Sequence, residues 1–170
     1  MADEMKIEPP VPDQPPRSVG FLISQLGFFS SKRFTEALEP LGIGPREFLL
    51  LRFVAASGGQ SQQALAERLG VPPSRMVALI DDLEGRGLVE RRPDPEDRRI
   101  RAVHLTKKGG QTLERAAQVA IEYEQKLCSS LEKGERDELI DLLQKVQEGQ
   151  TELRGVHPGL SQEHPGPIKE

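Results

Sequence analysis

Eight cations crowd into one short stretch of this chain: Arg86, Arg91, Arg92, Arg98, Arg99, Arg101, Lys107 and Lys108. Four acids share it, Glu90, Asp94, Glu96 and Asp97, so 23 residues carry +4 while the whole chain sums to −4. A local excess of Lys and Arg, rather than the global sum, attracts phosphate. The segment Asp94-Pro95-Glu96-Asp97-Arg98-Arg99 has no apolar side chain. Its bland reading is a solvated surface loop. Its sharper reading is a charged tip whose arginine reaches the narrow minor groove, where the potential of DNA is most negative. Other reactive residue types are sparse. Cys128 is the single cysteine, which excludes an intrachain disulfide and a multi-cysteine zinc site. It lies on or beside an apolar stripe, as a buried inert thiol would. His104, His157 and His164 are isolated, and no His/Asp/Glu cluster has metal-ligand spacing. There is no nucleophile elbow and no phosphate loop. The expectation is a non-enzyme without metal or cofactor.

These cations must be positioned by a small fold. With 170 residues, 36% of them apolar by type and 16 more glycine, the chain suits one globular domain with helical extensions. The best apolar run, from Phe48 to Ala56, is interrupted by Arg52 and is half the length of a membrane span. The start of the chain carries Asp3, Glu4, Glu8 and prolines where a secretory signal would carry a basic and then an apolar stretch. A soluble cytoplasmic protein is expected, with no membrane partner. Five of the 14 prolines fall between Pro9 and Pro16 and three between Pro158 and Pro167. Residues 1–16 and 151–170 therefore read as disordered tails.

Between the tails the periodicity is mostly helical. Ser18 to Leu38 reads as a first helix with Leu22, Leu26 and Phe29 on one face, extended by Phe21 and Phe28, as if buried on several sides. Pro45 to Ala56 is a second, with Phe48, Leu49 and Phe53 inward. Ser61 suits the N-cap of a third helix that ends at Leu69, and Gly70 suits its left-handed cap. A fourth starts at Pro72-Pro73 and runs to Gly85 on a stripe of Met76, Leu79, Ile80 and Leu83. The period then changes: Leu88–Arg92 and Ile100–Leu105 alternate like a two-stranded hairpin, with Val103 and Leu105 facing one way and Ala102 and His104 the other. Thr106 caps a long helix to Leu131, with Leu113, Ala117, Ala120, Ile121, Leu127 and Leu131 inward. A last helix, Glu135 to Gln147, shows a stripe of Leu139, Leu142, Leu143 and Val146.

The third and fourth helices, joined by Leu69-Gly70-Val71-Pro72, have the helix-turn-helix pattern, which any helical hairpin can also mimic. A basic hairpin directly after it makes a winged helix. The fold class read from this order is mainly α with a small β-hairpin wing. A winged helix-turn-helix lobe (residues 40–106) stands between N- and C-terminal helices (17–39 and 107–150).

At this point the chain resembles the MarR family of bacterial transcription regulators. The segment Leu83-Glu84-Gly85-Arg86-Gly87-Leu88-Val89-Glu90-Arg91 is similar to the family's join between recognition helix and wing. The segment Asp97-Arg98-Arg99-Ile100-Arg101-Ala102-Val103-His104-Leu105-Thr106 is similar to its wing signature. Asp94-Pro95, Gly109 and the link Leu41-Gly42-Ile43-Gly44-Pro45 also fit, and the likeness covers about residues 18 to 148. It implies a DNA-binding homodimer, most often a ligand-responsive repressor on a near-palindromic operator. The outer helices would interlock through Leu22, Leu139, Leu142, Leu143 and Val146. The last four also lack an obvious partner within a small winged lobe.

The DNA contacts can be sorted by type. Pro73, Ser74, Arg75 and Ala78 lie near the start of the recognition helix, where side chains reach base edges. Arg75 suits a bidentate grip on guanine, while Pro73 and Ala78 allow close apolar approach. The resemblance places Arg99 in the minor groove, with Asp97 orienting it. Arg98 and Arg86 suit phosphates, although Arg86 equally suits a helix C-terminal cation. Pro72-Pro73 departs from the polar residues usual at this helix start and removes two backbone donors.

The resemblance also implies a small aromatic or lipophilic effector, in a cleft lined from the first, second and fifth helices. Phe28, Phe29, Phe34, Phe48 and Phe53 are candidates there, with the apolar core as their plainer role. Two alternatives stand beside the repressor reading: a winged-helix protein-interaction module without specific DNA binding, and a thiol-based redox regulator acting through Cys128.

Overall fold

The computed structural model describes residues 18–94 and 100–150. The expected tails, 1–16 and 151–170, lie outside the described residues. Ser18 caps α1 (Val19–Leu38) by accepting a hydrogen bond from the Phe21 amide, 3.4 Å. A 3-10 turn, Glu39–Leu41, breaks at Gly42 in the left-handed region and leads to α2 (Pro45–Ser57). Pro45 opens α2, and Glu47 reaches back to the Gly44 amide at 2.8 Å. Then come β1 (Gln60–Ser61), α3 (Gln62–Leu69), α4 (Pro73–Gly85), β2 (Val89–Pro93), β3 (Arg101–Leu105), α5 (Lys107–Leu127) and α6 (Lys133–Glu148).

The class is as read from the sequence, mainly helical with a small β wing, and four details differ. The wing is a three-stranded antiparallel sheet ordered β1-β3-β2, because Gln60 and Ser61 pair with Val103 and Ala102. That extra strand covers Ala102, so Ala102 and Val103 are both buried and the expected alternation fails there. On α2 the fully buried side chains are Phe48, Leu50, Leu51 and Val54, while Leu49 and Phe53 are half-buried. Helix α5 stops at Leu127, and Leu131 sits in a turn whose amide bonds to the Cys128 carbonyl.

The core lies inside the winged lobe. Leu65, Ala66 and Leu69 of α3 meet Met76, Ile80 and Leu83 of α4, and Leu50, Leu51, Leu88, Val89 and Val103 close it. Burying each large side chain there contributes about 1.5–3 kcal/mol. From α5 only Gly109 and Ala116 are fully buried, with Leu113, Ala117 and Ala120 packed at the margin.

The outer helices depart from the expected several-sided burial. Of α1 only Leu38 is buried, and Phe21, Leu22, Leu26, Phe28 and Phe29 are exposed. Helix α6 has no buried residue, and Ile121 and Leu127 on α5 are exposed as well. One chain offers α1 only part of α2 and α5 to lie on. The contact centres on Phe34, whose ring is 5.9 Å from that of Phe48 and 5.2 Å from that of Tyr123. Tyr123 also donates to Ser30 Oγ at 2.8 Å.

Among the described residues no helix is long and apolar enough to cross a membrane. No group of three or more His, Cys, Asp and Glu side chains there is placed to hold a metal.

Candidate nucleic-acid interface

The turn between α3 and α4 is built from local chemistry. Ser61 Oγ accepts from the Ala64 amide at 3.1 Å and starts α3. At the other end Gly70 adopts φ +60, and the Val71 amide bonds to the Ala66 carbonyl at 3.0 Å. A side chain at Gly70 would be strained in that conformation. Pro72 then acts as the N-cap of α4, and its carbonyl accepts from the amides of Arg75 and Met76, both at 3.0 Å. Neither Pro72 nor Pro73 has an N–H, so the start of α4 offers fewer backbone donors to an anion than most helices.

With Met76, Ile80 and Leu83 locked in the core, α4 turns its other side outward. Pro73, Ser74 and Ala78 are exposed on it and Arg75 is half-buried. Ser74, Ala78 and Asp81 follow the four-then-three spacing of one outward stripe. The recognition-helix candidates are thus brought together on one helix, clear of the core.

The wing brings cations to the side of the same helix. Strands β2 and β3 pair from Val89–Leu105 to Pro93–Arg101, and the Asp94 amide bonds to the Ile100 carbonyl at 3.0 Å. Asp97, Arg98 and Arg99, the expected tip, lie outside the described residues. Arg101 is exposed at the tip-proximal end of β3, and Arg92 pairs with Glu90 at 2.5 Å.

Arg86 and Arg91 are tied into the fold. Arg86 pairs with Asp82 at 2.8 Å and donates to the Gly42 carbonyl, while its own carbonyl accepts from Lys108 Nζ at 2.8 Å. These bonds use one N–H of each terminal nitrogen and leave the side chain one third exposed, a geometry open to both of its readings, the helix-end cation and the phosphate ligand. Arg91 was not singled out from the sequence. Its guanidinium pairs with Asp81 at 2.5 Å and with Glu84, and reaches Gln62 Oε1 at 3.1 Å. Burial alone would lower its pKa; the hydrogen bonds and charges of Asp81 and Glu84 outweigh this and raise it above the ordinary arginine value. Both outward acids of α4, Asp81 and Asp82, are therefore compensated by arginines.

Beside the lobe lies a cavity of 790 Å³ between α2, α5 and the start of α6, with Phe48, Arg52, Leu113, Ala117, Ile121 and Arg136 in its wall. Of the five phenylalanines considered for an effector cleft, Phe48 alone lines it. Phe28 and Phe29 point to the outside of α1, Phe34 packs on Phe48 and Tyr123, and Phe53 stacks under Arg68. Cys128 caps the end of α5, half-buried, with Sγ 3.8 Å from Glu124 Oε1.

The sequence and fold have clear relatives. A sequence model of the MarR family matches residues 41–100. A putative transcriptional regulatory protein for the hcr operon of Thauera aromatica is 35% identical over 105 residues, 62% of this chain; the match spans under two thirds, 63%, of that protein. The uncharacterised HTH-type transcriptional regulator YkoM of Bacillus subtilis is 34% identical over 105 residues, 62% of this chain and 68% of YkoM. Among solved structures, the transcriptional repressor CouR bound to a 23-mer DNA duplex aligns with TM-score 0.67 and 32% identity, covering 76% of this chain and 92% of CouR. CouR from Rhodococcus jostii bound to p-coumaroyl-CoA aligns with TM-score 0.62 and 30% identity over the same shares. With the helix-turn-helix, the three-stranded wing and these relatives in agreement, the chain belongs to the MarR family of winged-helix transcriptional regulators.

Proposed function

We propose that this chain works as a homodimeric, ligand-responsive repressor on a near-palindromic operator. The observation that carries the reading is the outward stripe of α4: small and polar side chains stand exposed on a helix whose opposite side is sealed into the core. Such a helix fits the major groove, with Pro73, Ser74, Arg75 and Ala78 toward the bases. The wing cations Arg98 and Arg99, with Asp97 orienting Arg99, take the adjoining backbone and minor groove. Residues 40–106 act as the reading lobe. Residues 17–39 and 107–150 pair two such lobes, because Leu22, Leu139, Leu142, Leu143 and Val146 leave apolar faces uncovered in one chain. A two-fold protein calls for half-sites about one helical turn apart.

The cavity beside α2 and α5 is the effector site in this reading. Its volume falls within the range of small-molecule pockets, and with Arg136 paired to Glu124 in the same wall, Arg52 is the cation left to favour an anionic, partly apolar ligand. A ligand that fits only a lobe spacing unsuited to the operator shifts the dimer off DNA; a tenfold release needs about 1.4 kcal/mol of differential binding. A protein acting on the chromosome in this way is cytoplasmic.

The test is selection of bound fragments from the source genome with purified protein, at low and near-physiological salt, with the mass in solution measured alongside. Recovery of a near-palindromic site by a dimer supports the reading. A monomer, or binding that vanishes uniformly as salt rises, overturns it.

A further inference from the structure

Arg91 joins three elements with one planar group. It sits on β2, opposite Val103 of β3. Its Nη2 pairs with Asp81 Oδ1 at 2.5 Å and its Nη1 with Glu84 Oε2, two acids three residues apart on α4. Nε and Nη2 reach Oε1 of Gln62, the first residue of α3, at 3.3 and 3.1 Å. Its backbone amide donates to Glu84 Oε1 at 3.0 Å. The Arg91 side chain is 19% exposed while those of Asp81 and Glu84 are 59% and 39% exposed, so the guanidinium is shielded and its acids face solvent. A guanidinium can serve these acceptors together because its donors lie in a fixed fork, whereas a lysine ammonium on a flexible stem cannot hold the same angles.

We infer that Arg91 is a positioning residue that sets the angle between helix α4 and the wing and keeps Asp81 neutralised on the face α4 turns to DNA. The inference rests on the proposed entry of α4 into the major groove. Helix α4 and β2 are joined only by the short turn through Gly87, at φ +69. Beyond that turn, Arg91 is a polar tie between β2 and the helix, through Asp81 and Glu84. A wing that swings relative to α4 cannot engage the minor groove while α4 reads the adjacent major groove. Asp81 shares the outward stripe with Ser74 and Ala78, so an unpaired carboxylate there would face the phosphates.

The test compares Arg91→Lys, and the double variant Asp81→Asn with Glu84→Gln, with wild type in titrations on the selected site and on unrelated DNA, from about 50 to 200 mM salt. Each variant is first checked for an unchanged helical spectrum and for the fraction of active protein. For Arg91→Lys the preference for the selected site falls about tenfold, the scale of one lost base contact, while the slope of log K against log salt stays unchanged. The double variant Asp81→Asn with Glu84→Gln separates the clamp from simple charge. Removing a carboxylate strengthens binding to any DNA, whereas the clamp requires the preference for the selected site to fall. Asp81→Asn alone would leave Arg91 held by Glu84 and Gln62, whereas the double variant removes both of its charged partners at side chains 59% and 39% exposed, so it decides the matter if Arg91→Lys does not fold.

An unchanged preference in the double variant Asp81→Asn with Glu84→Gln, or in a folded Arg91→Lys, overturns the inference. So does a salt slope reduced by about one in Arg91→Met with the preference intact, since that marks Arg91 as a phosphate contact. A wild-type protein that selects no site refutes the proposed DNA reading itself, and the positioning role with it.

Discussion

Gly109 stands in the first turn of α5 against the backbone of Leu88. A methyl group added there would lie 2.8 Å from the Leu88 carbonyl carbon and closer still to its oxygen, where ordinary contact begins at 3.4 Å. The two segments must therefore separate by roughly 1 Å in Gly109→Ala. Leu88 has little freedom to retreat. Its amide bonds to the Leu83 carbonyl at 2.9 Å, and its oxygen accepts from the Thr106 amide at 3.1 Å and from Thr106 Oγ1 at 3.3 Å. A separation of that size breaks the Thr106 amide bond. Two weakened hydrogen bonds at about 1 kcal/mol each, with about 1 kcal/mol of disturbed packing, give a loss near 3 kcal/mol. For a chain of this size that lowers the melting temperature by about 6–12 °C. Gly110, next along α5, is the control, because nothing lies within 4 Å of the methyl group it would gain. Gly110→Ala stabilises by about 0.5–1 kcal/mol through helix propensity alone and raises the melting temperature by about 2 °C. Both variants are melted by circular dichroism at one fixed protein concentration, since association adds to apparent stability. Shifts of the same sign in the two variants, or a Gly109→Ala shift within about 2 °C of wild type, would refute the close-approach argument.

Three further outcomes follow from the proposed function. Arg75→Ala relaxes base preference at particular operator positions by about 1–3 kcal/mol per lost bidentate contact, read by binding-site selection; a wild-type profile removes Arg75 from base reading. Arg99→Ala weakens binding to all sequences alike and reduces the salt slope by about one, and unchanged affinity takes the wing tip out of the mechanism. Leu142→Glu, at a half-exposed position of α6, drives the dimer toward monomer in sedimentation while the winged lobe keeps its melting transition; an intact dimer moves the interface elsewhere.

The helix-turn-helix was legible because its signals are local. Ser61, Gly70 and Pro72-Pro73 act within a few residues of where they stand, and the stripe of Met76, Ile80 and Leu83 has a clean period. The face of α2 was not, because apolar residues fill Phe48 to Leu51 and then Phe53 and Val54, so no stripe separates inside from outside. Strand β1 escaped notice because Gln60 and Ser61 carry no alternation; β3 forty residues later makes them a strand. The Arg91 network joins residues seven, ten and 29 positions apart, and no spacing rule relates them. Exposure of the α1 and α6 apolar faces has a related cause. Their periodicity shows apolar faces, and the described residues contain no cover for them.

In the proposed dimer, helix α6 makes the order of events during folding depend on concentration. A 16-residue helix is marginal in water by propensity alone, and α6 buries none of its residues against its own lobe. Its tie to that lobe includes one half-exposed ion pair, Arg136 to Glu124 at 3.2 Å. In the proposed dimer the core of the winged lobe is complete within one chain, while α6 gains its cover from the second. Dilution of that dimer therefore costs helix content before it costs the lobe.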